Sequence, residues 1–113
     1  MALNKKEEFP KIENRVASFA KALSHPARIA ILKKLADENK CICGKIVDVM
    51  PLSQSTVSQH LKELRDAGLI QGEIEGASSM YCINWNNLNR EIKAILEFFG
   101  QLKDKFSRIE CCK

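Results

Sequence analysis

Leu52-Ser53-Gln54-Ser55-Thr56-Val57-Ser58-Gln59-His60-Leu61-Lys62-Glu63-Leu64, followed by Ala67-Gly68-Leu69-Ile70, is the stretch of this chain that decides its fold. Ser53 suits a helix N-cap, because its hydroxyl can accept from an amide N–H that the first turn leaves without a partner. Val57, Leu61 and Leu64 then recur at spacings of four and three and form one buried stripe, after which Gly68 ends the helix. With Val57 as the core direction, Ser55, Gln59, Lys62 and Asp66 project to the other side, with Thr56 and Ser58 on the flanks. Serines and threonines crowd this helix start although they lower helix propensity, so something other than helix stability selected them. Together with Gln54 and Gln59 they are suited to phosphates and base edges, glutamine being able to pair with adenine.

Upstream, Gly44 to Val49 reads as a short helix that Pro51 stops, since the residue before a proline is pushed away from helical geometry. Downstream, Leu69–Ile74 and Met80–Ile83 read as strands joined by the small-residue turn Glu75-Gly76-Ala77-Ser78-Ser79. Two short helices across a tight turn followed by a hairpin are the order of a winged helix-turn-helix, whose second helix enters the major groove. The expected fold is therefore mainly α with a small β-hairpin. The wing carries Glu73 and Glu75 and no basic residue, which leaves Lys62 and Arg65 to meet phosphate.

The flanks predict more helix. Phe9, Ile12, Val16, Phe19, Ala20 and Leu23 share one stripe, and Ser24-His25-Pro26 opens a second helix with Ile29, Leu32 and Leu35 or Ala36 facing inward. His25 reads as a helix-start residue and His60 as a packed, hydrogen-bonded histidine. Leu88, Ile92, Ile95, Phe99, Leu102, Phe106 and Ile109 alternate spacings of four and three, a heptad seam that wants a partner helix. The chain thus divides into a first helix over about 7–23, the helix-turn-helix over about 42–67, the wing over about 69–84, a last helix over about 87–109 and a cysteine-containing tail at 110–113, all within one domain spanning 1–113.

Composition bounds what this domain can be. Its 113 residues are 45% hydrophobic and 28% charged, which is globular, and no stretch approaches the ~20 apolar residues of a membrane span. The N-terminus turns charged at Lys5-Lys6-Glu7-Glu8, unlike a signal peptide, so a cytoplasmic protein is expected, with no membrane partner. A net charge of +4 permits nucleic-acid binding without demanding it. In a reducing compartment five cysteines favour metal or redox chemistry over structural disulfides, and an odd number cannot all pair within one chain. An oxidoreductase would place Cys-x-x-Cys at a helix start within a βαβ unit; the chain has neither, and no enzyme is expected.

The thiols that stand out are Cys41-Ile42-Cys43, immediately ahead of the helix-turn-helix. Thiolates are soft donors that select soft ions, and Lys40 and Lys45 favour their ionisation. Residues two apart diverge by about 200° in a helix but share a face in extended chain, so joint binding needs an irregular or strand-like backbone at 41–43, and Gly44 would permit the irregularity. Alternation along the second hairpin strand puts Cys82 on the face opposite Tyr81 and Ile83, which reads it as a bystander.

Leu23-Ser24-His25-Pro26-Ala27-Arg28-Ile29-Ala30-Ile31-Leu32, the 52–64 stretch and Ala67-Gly68-Leu69-Ile70 closely resemble the ArsR/SmtB family of bacterial metal-responsive repressors, over about residues 9–106. The resemblance implies a homodimer held by the first and last helices, presenting two recognition helices to double-stranded operator DNA, with Ser53, Gln54, Ser55, Thr56, Ser58, Gln59 and Lys62 as the DNA-contacting set. Cys41 and Cys43 are similar to the Cys-Val-Cys element of arsenite-, antimonite- and cadmium-sensing members, which implies As(III) or Sb(III) as inducer. Where some arsenic sensors have a third cysteine three residues on, this chain has Ile46, and it lacks the N-terminal cysteines of cadmium and lead sensors. Cys111 and Cys112 are then the suppliers of a third sulfur. Three thiolates suit As(III), whereas Zn²⁺ wants a fourth ligand and the last helix lacks the Asp/His set of zinc sensors, so Cd and Zn fit less well. The alternative is a thiol-redox repressor of the same fold, joining a thiol before the helix-turn-helix to a C-terminal one, as in persulfide-responsive relatives.

Overall fold

The structure, a computed structural model, describes residues 8–38, 42–43, 51–72 and 80–106. Along the chain these form α1 (Lys11–Ala22), α2 (Pro26–Glu38), β1 (Ile42–Cys43), α3 (Gln54–Asp66), β2 (Ile70–Gly72), β3 (Met80–Ile83) and α4 (Trp85–Phe106). The expected mainly α architecture with a β-hairpin is present. The helix read at Gly44 to Val49, the wing turn with Glu73 and Glu75, and Ile109 lie outside the described residues.

The core forms where α2, α3 and the sheet meet. Val57, Leu61 and Leu64 are buried along α3 as their spacing requires, and they pack with Ile31 and Leu35 of α2 and with Leu69, Ile70, Tyr81, Ile83 and Leu88. The phase of α2 differs from the sequence reading. Ala27, Ile31 and Leu35 point inward, whereas Ile29 is 47% exposed. Apolar residues surround much of α2, so its pattern alone leaves the inward face open, and packing against α3 and β3 selects it.

Each end of α3 closes by local chemistry. The Ser53 hydroxyl accepts from the Thr56 N–H at 3.3 Å, an N-cap that contributes about 1 kcal/mol. At the other end the Gly68 N–H donates to the Arg65 carbonyl at 2.9 Å and the Leu69 N–H to the Leu64 carbonyl at 3.0 Å, the paired bonds of a Schellman ending. Gly68 takes φ +82°, and a Cβ there would stand 2.5 Å from Asn87 Nδ2. That same amide nitrogen donates to the Gly68 carbonyl at 2.7 Å. Asn84 caps α4, its Oδ1 accepting from the Asn87 N–H at 3.2 Å, while its own N–H donates to the Leu69 carbonyl at 3.0 Å. Its cap starts α4 at Trp85, two residues before the expected boundary.

The sheet has a strand that the sequence reading lacked. β3 lies in the middle, with β2 antiparallel on one side and β1 antiparallel on the other. Ile70 stands across from Ile83 and Gln71 from Cys82, while Ile42 stands across from Tyr81 and Cys43 from Met80. A two-residue strand has no period of its own to read; its partner defines it.

α1 and α4 cross and are tied by a forked ion pair, Arg15 Nε to Glu91 Oε1 at 2.8 Å and Arg15 Nη2 to Glu91 Oε2 at 3.2 Å. Beyond Leu88, which is buried, the seam of α4 is open: Ile92, Phe99, Leu102 and Phe106 are exposed, and so is Leu96 beside them.

Candidate nucleic-acid interface and thiol site

α3 carries its polar residues outward, as the stripe at Val57, Leu61 and Leu64 dictates. Ser53, Ser55, Thr56, Gln59 and Lys62 are exposed and Ser58 is half-buried, while Gln54 is placed by its backbone in the first turn. The helix start is internally ordered. Ser53 Oγ bonds Thr56 Oγ1 at 2.9 Å and lies 3.3 Å from Ser55 Oγ, so three hydroxyls form one network at the N-terminal end. Gln59 Nε2 donates to Glu63 Oε2 at 3.3 Å, which holds the amide one helical turn from the end that would enter a groove. Lys62 and Arg65 supply exposed positive charge on this helix, Arg65 lying 3.8 Å from Asp66.

A group that the sequence reading left without a role sets the orientation of this helix. Arg28 donates from Nε to His60 Nδ1 at 3.1 Å, and from Nη1 to the Lys21 and Ala22 carbonyls at 3.2 and 3.3 Å. One guanidinium therefore joins the end of α1, the start of α2 and the middle of α3. His25 caps α2, its Nδ1 accepting from the Ala27 N–H at 3.0 Å, and its ring lies 4.3 Å from that of His60. His60 is a packed, hydrogen-bonded histidine, as expected, and His25 a helix-start residue.

Desolvation, followed by the neighbouring His25 and Arg28, lowers the His60 pKa below the usual histidine range, against a smaller upward pull from Glu63. The folded chain therefore binds fewer protons here than the unfolded chain, whose histidine titrates near ~6.5. The stability contributed by the neutral ring is complete above that value and is lost as pH falls through the lowered folded value. Thermal midpoints measured from pH 8 to pH 5 are expected to drop on the acid side of pH ~6.5, and to drop less in His60→Asn, whose amide oxygen can accept from Arg28 without titrating. An unchanged pH profile in that variant would refute the assignment.

The thiols divide. Cys43 lies in β1, so the backbone at Ile42–Cys43 is strand-like, one of the two forms that joint binding allows. Cys41, Cys111 and Cys112 lie outside the described residues. The reading of Cys82 as a bystander is corrected: it does face away from the core, being half-buried between buried Tyr81 and Ile83, but it is disulfide-bonded. Alternation gave its face correctly; a distant sulfur partner has no local signal. Among the described residues no group of three His, Cys, Asp or Glu side chains is placed to hold a metal.

A polar recognition helix presented by a three-stranded winged sheet defines a winged helix-turn-helix regulator, a class whose working element binds double-stranded DNA. Residues 25–71 match the family described as "Bacterial regulatory protein, arsR family". The chain is 36% identical over 84 residues to an uncharacterized HTH-type transcriptional regulator of Methanocaldococcus jannaschii, a match covering 74% of this chain and 93% of the relative. It is 37% identical over 70 residues to the arsenical resistance operon repressor of Bacillus subtilis, covering 61% and 66% of the two chains. An ArsR-like transcriptional regulator from Rhodococcus sp. RHA1 superposes with a TM-score of 0.66 at 25% identity, covering 85% of this chain and 89% of that one. The protein belongs to the arsR family; it is a regulator of transcription and not an enzyme. No helix among the described residues is long and apolar enough to cross a membrane.

Proposed function

We propose that the protein is a transcriptional repressor that occupies operator DNA as a homodimer and is released when As(III) or Sb(III) binds its cysteine thiolates. The observation that carries this reading is the placement of Cys43, the second cysteine of Cys41-Ile42-Cys43, on β1 ahead of the helix-turn-helix, in a chain similar to a repressor named for arsenical resistance. On the DNA side, Ser53, Gln54, Ser55, Thr56, Ser58, Gln59 and Lys62 meet phosphates and base edges. On the sensing side, Cys41 and Cys43 supply two sulfurs and Cys111 or Cys112 the third, from the same chain or its partner. Zn²⁺ and Cd²⁺ suit a three-thiolate set less well, since Zn²⁺ favours four ligands. The exposed apolar row on α4 supports the homodimer.

β1 is hydrogen-bonded to β3, and β3 to β2, which leaves α3 through Gly68 and Leu69. A rearrangement of the strand that bears Cys43 therefore bears on the seating of the recognition helix. Coupling of ordinary allosteric size weakens operator binding about 5- to 150-fold. Fluorescence anisotropy of a labelled operator, titrated with arsenite, antimonite, Zn²⁺, Cd²⁺ and persulfide, is expected to show release by the two metalloids and loss of that response in Cys41→Ser and Cys43→Ser. Operator affinity indifferent to arsenite would overturn the reading.

A further inference from the structure

We propose that His25, Arg28 and His60 form a proton-operated latch that seats the recognition helix, so that protonating His60 frees α3 and weakens operator binding. The latch rests on the reading of α3 as the DNA-contacting helix. Both histidines of the chain meet here, their rings 4.3 Å apart. His60 lies on the inner side of α3 with Val57 and Leu64 and is only 8% exposed, while Gln59 next to it is exposed. A hold on the ring at 60 therefore sets the rotation of α3 about its axis, and with it the direction in which Gln59 points.

That hold works in one protonation state only. A guanidinium keeps its protons and can only donate, and Arg28 Nε donates to His60 Nδ1 at 3.1 Å. The neutral ring therefore carries its proton on Nε2 and leaves the Nδ1 lone pair to accept. A further proton goes onto Nδ1, consumes that lone pair, and sets an imidazolium against the guanidinium. His25 is engaged in the same way, its Nδ1 accepting from the Ala27 N–H at 3.0 Å, so neither ring takes a second proton without giving up a bond. The other arm of Arg28 does not respond to protons, because Nη1 holds the Lys21 and Ala22 carbonyls at the end of α1. α1 is itself tied to α4 through Arg15 and Glu91. Protonation thus releases α3 from a scaffold that stays assembled.

The groups that face His60 are His25 and Arg28 at the start of α2 and Glu63 on α3 itself, with Lys21 exposed at the end of α1 beyond Arg28. Burial, then His25 and Arg28, outweigh Glu63 and keep the ring neutral at neutral pH, so the latch opens on the acid side of pH ~6.5. Glu63 is also the carboxylate that holds the Gln59 amide, at 3.3 Å, and an imidazolium at 60 competes with Gln59 for it.

Acidification ordinarily strengthens a protein's hold on DNA, since added positive charge meets phosphate, and the latch demands the opposite sign. The probe is a labelled duplex selected from a randomised pool for binding to the full-length protein at pH 8. Anisotropy is read from pH 8 to pH 5 at constant ionic strength, at a temperature where circular dichroism shows the helices intact. Affinity is expected to fall about 5- to 150-fold, the ordinary range of coupling between sites. His60→Asn, whose amide oxygen accepts from Arg28 without titrating, is expected to bind at pH 5 at least as tightly as it does at pH 8. Coupling is reciprocal, so the duplex must also lower the His60 titration midpoint followed by imidazole NMR in the wild-type protein, whereas a merely structural histidine would titrate alike with and without DNA. Wild-type affinity that is flat or rises toward pH 5, an acid loss retained in His60→Asn, or a midpoint unmoved by the duplex would overturn the latch and leave the DNA reading standing. A pool that yields no duplex at pH 8 would defeat both.

Discussion

Phe99→Asp combined with Leu102→Asp on α4 is expected to leave the protein monomeric and to weaken operator binding about 10²- to 10⁴-fold, the range by which linking two binding units raises affinity. Both side chains are exposed within one chain, at 50% and 44%, in a row that continues through Ile92, Leu96 and Phe106. Large apolar side chains contribute about 1.5–3 kcal/mol each when fully buried, and a row of them left in water is rare on a monomer. Two carboxylates in the middle of that row would have to be desolvated on association, which costs more than the contacts return. The core is untouched, because neither residue belongs to the buried cluster. Sedimentation equilibrium reads the mass and anisotropy reads the affinity. A double variant that still sediments as a dimer would place the subunit interface elsewhere.

Leu64→Ala is expected to destabilise the fold by about 2–5 kcal/mol, the range for truncating a buried leucine, out of the 5–15 kcal/mol typical of a domain. Leu64 is completely buried, sits in the cluster with Ile31 and Leu61, and packs at the end of α3 whose carbonyl closes onto Leu69. The substitution keeps that backbone bond and removes the side chain that fills the space between α3, α2 and the sheet. Urea unfolding should show a lower midpoint at an unchanged slope. A loss below 1 kcal/mol would mean that α3 is not packed as described. Since the same helix carries Ser55, Thr56 and Gln59, operator affinity below the unfolding midpoint should change little, which separates stability from recognition.

α3 was legible because its residues repeat the helical period on both faces: Val57, Leu61 and Leu64 mark one, and Ser55, Gln59 and Lys62 the other. α2 was legible as a helix but not in phase, since Ile29 and Ile31 are equally apolar and only contact with α3 and β3 separates them. β1 was invisible, two residues being too few to show alternation, and the demand that joint binding puts on the backbone at 41–43 allowed an irregular turn as well as a strand. Arg28 belongs to the stretch Ser24-His25-Pro26-Ala27-Arg28, yet its bond to His60 joins residues 32 apart, and nothing local announces such a pair. The face of Cys82 followed from alternation, while its disulfide has no local signal in the sequence. Of the residues proposed to contact DNA, Ser53 is also occupied as a cap, a role read from the same hydroxyl.

The clasp between Asn87 and the Gly68 carbonyl, with the Asn84 N–H on the Leu69 carbonyl, welds the tail of the recognition helix to the head of α4. An operator with two half-sites about one helical turn of DNA apart, roughly 34 Å, demands that two recognition helices keep that separation. In a dimer built on α4, a small tilt of one α4 against its mate would be carried rigidly through this weld and change the gauge between the reading heads, with no residue of either head altered.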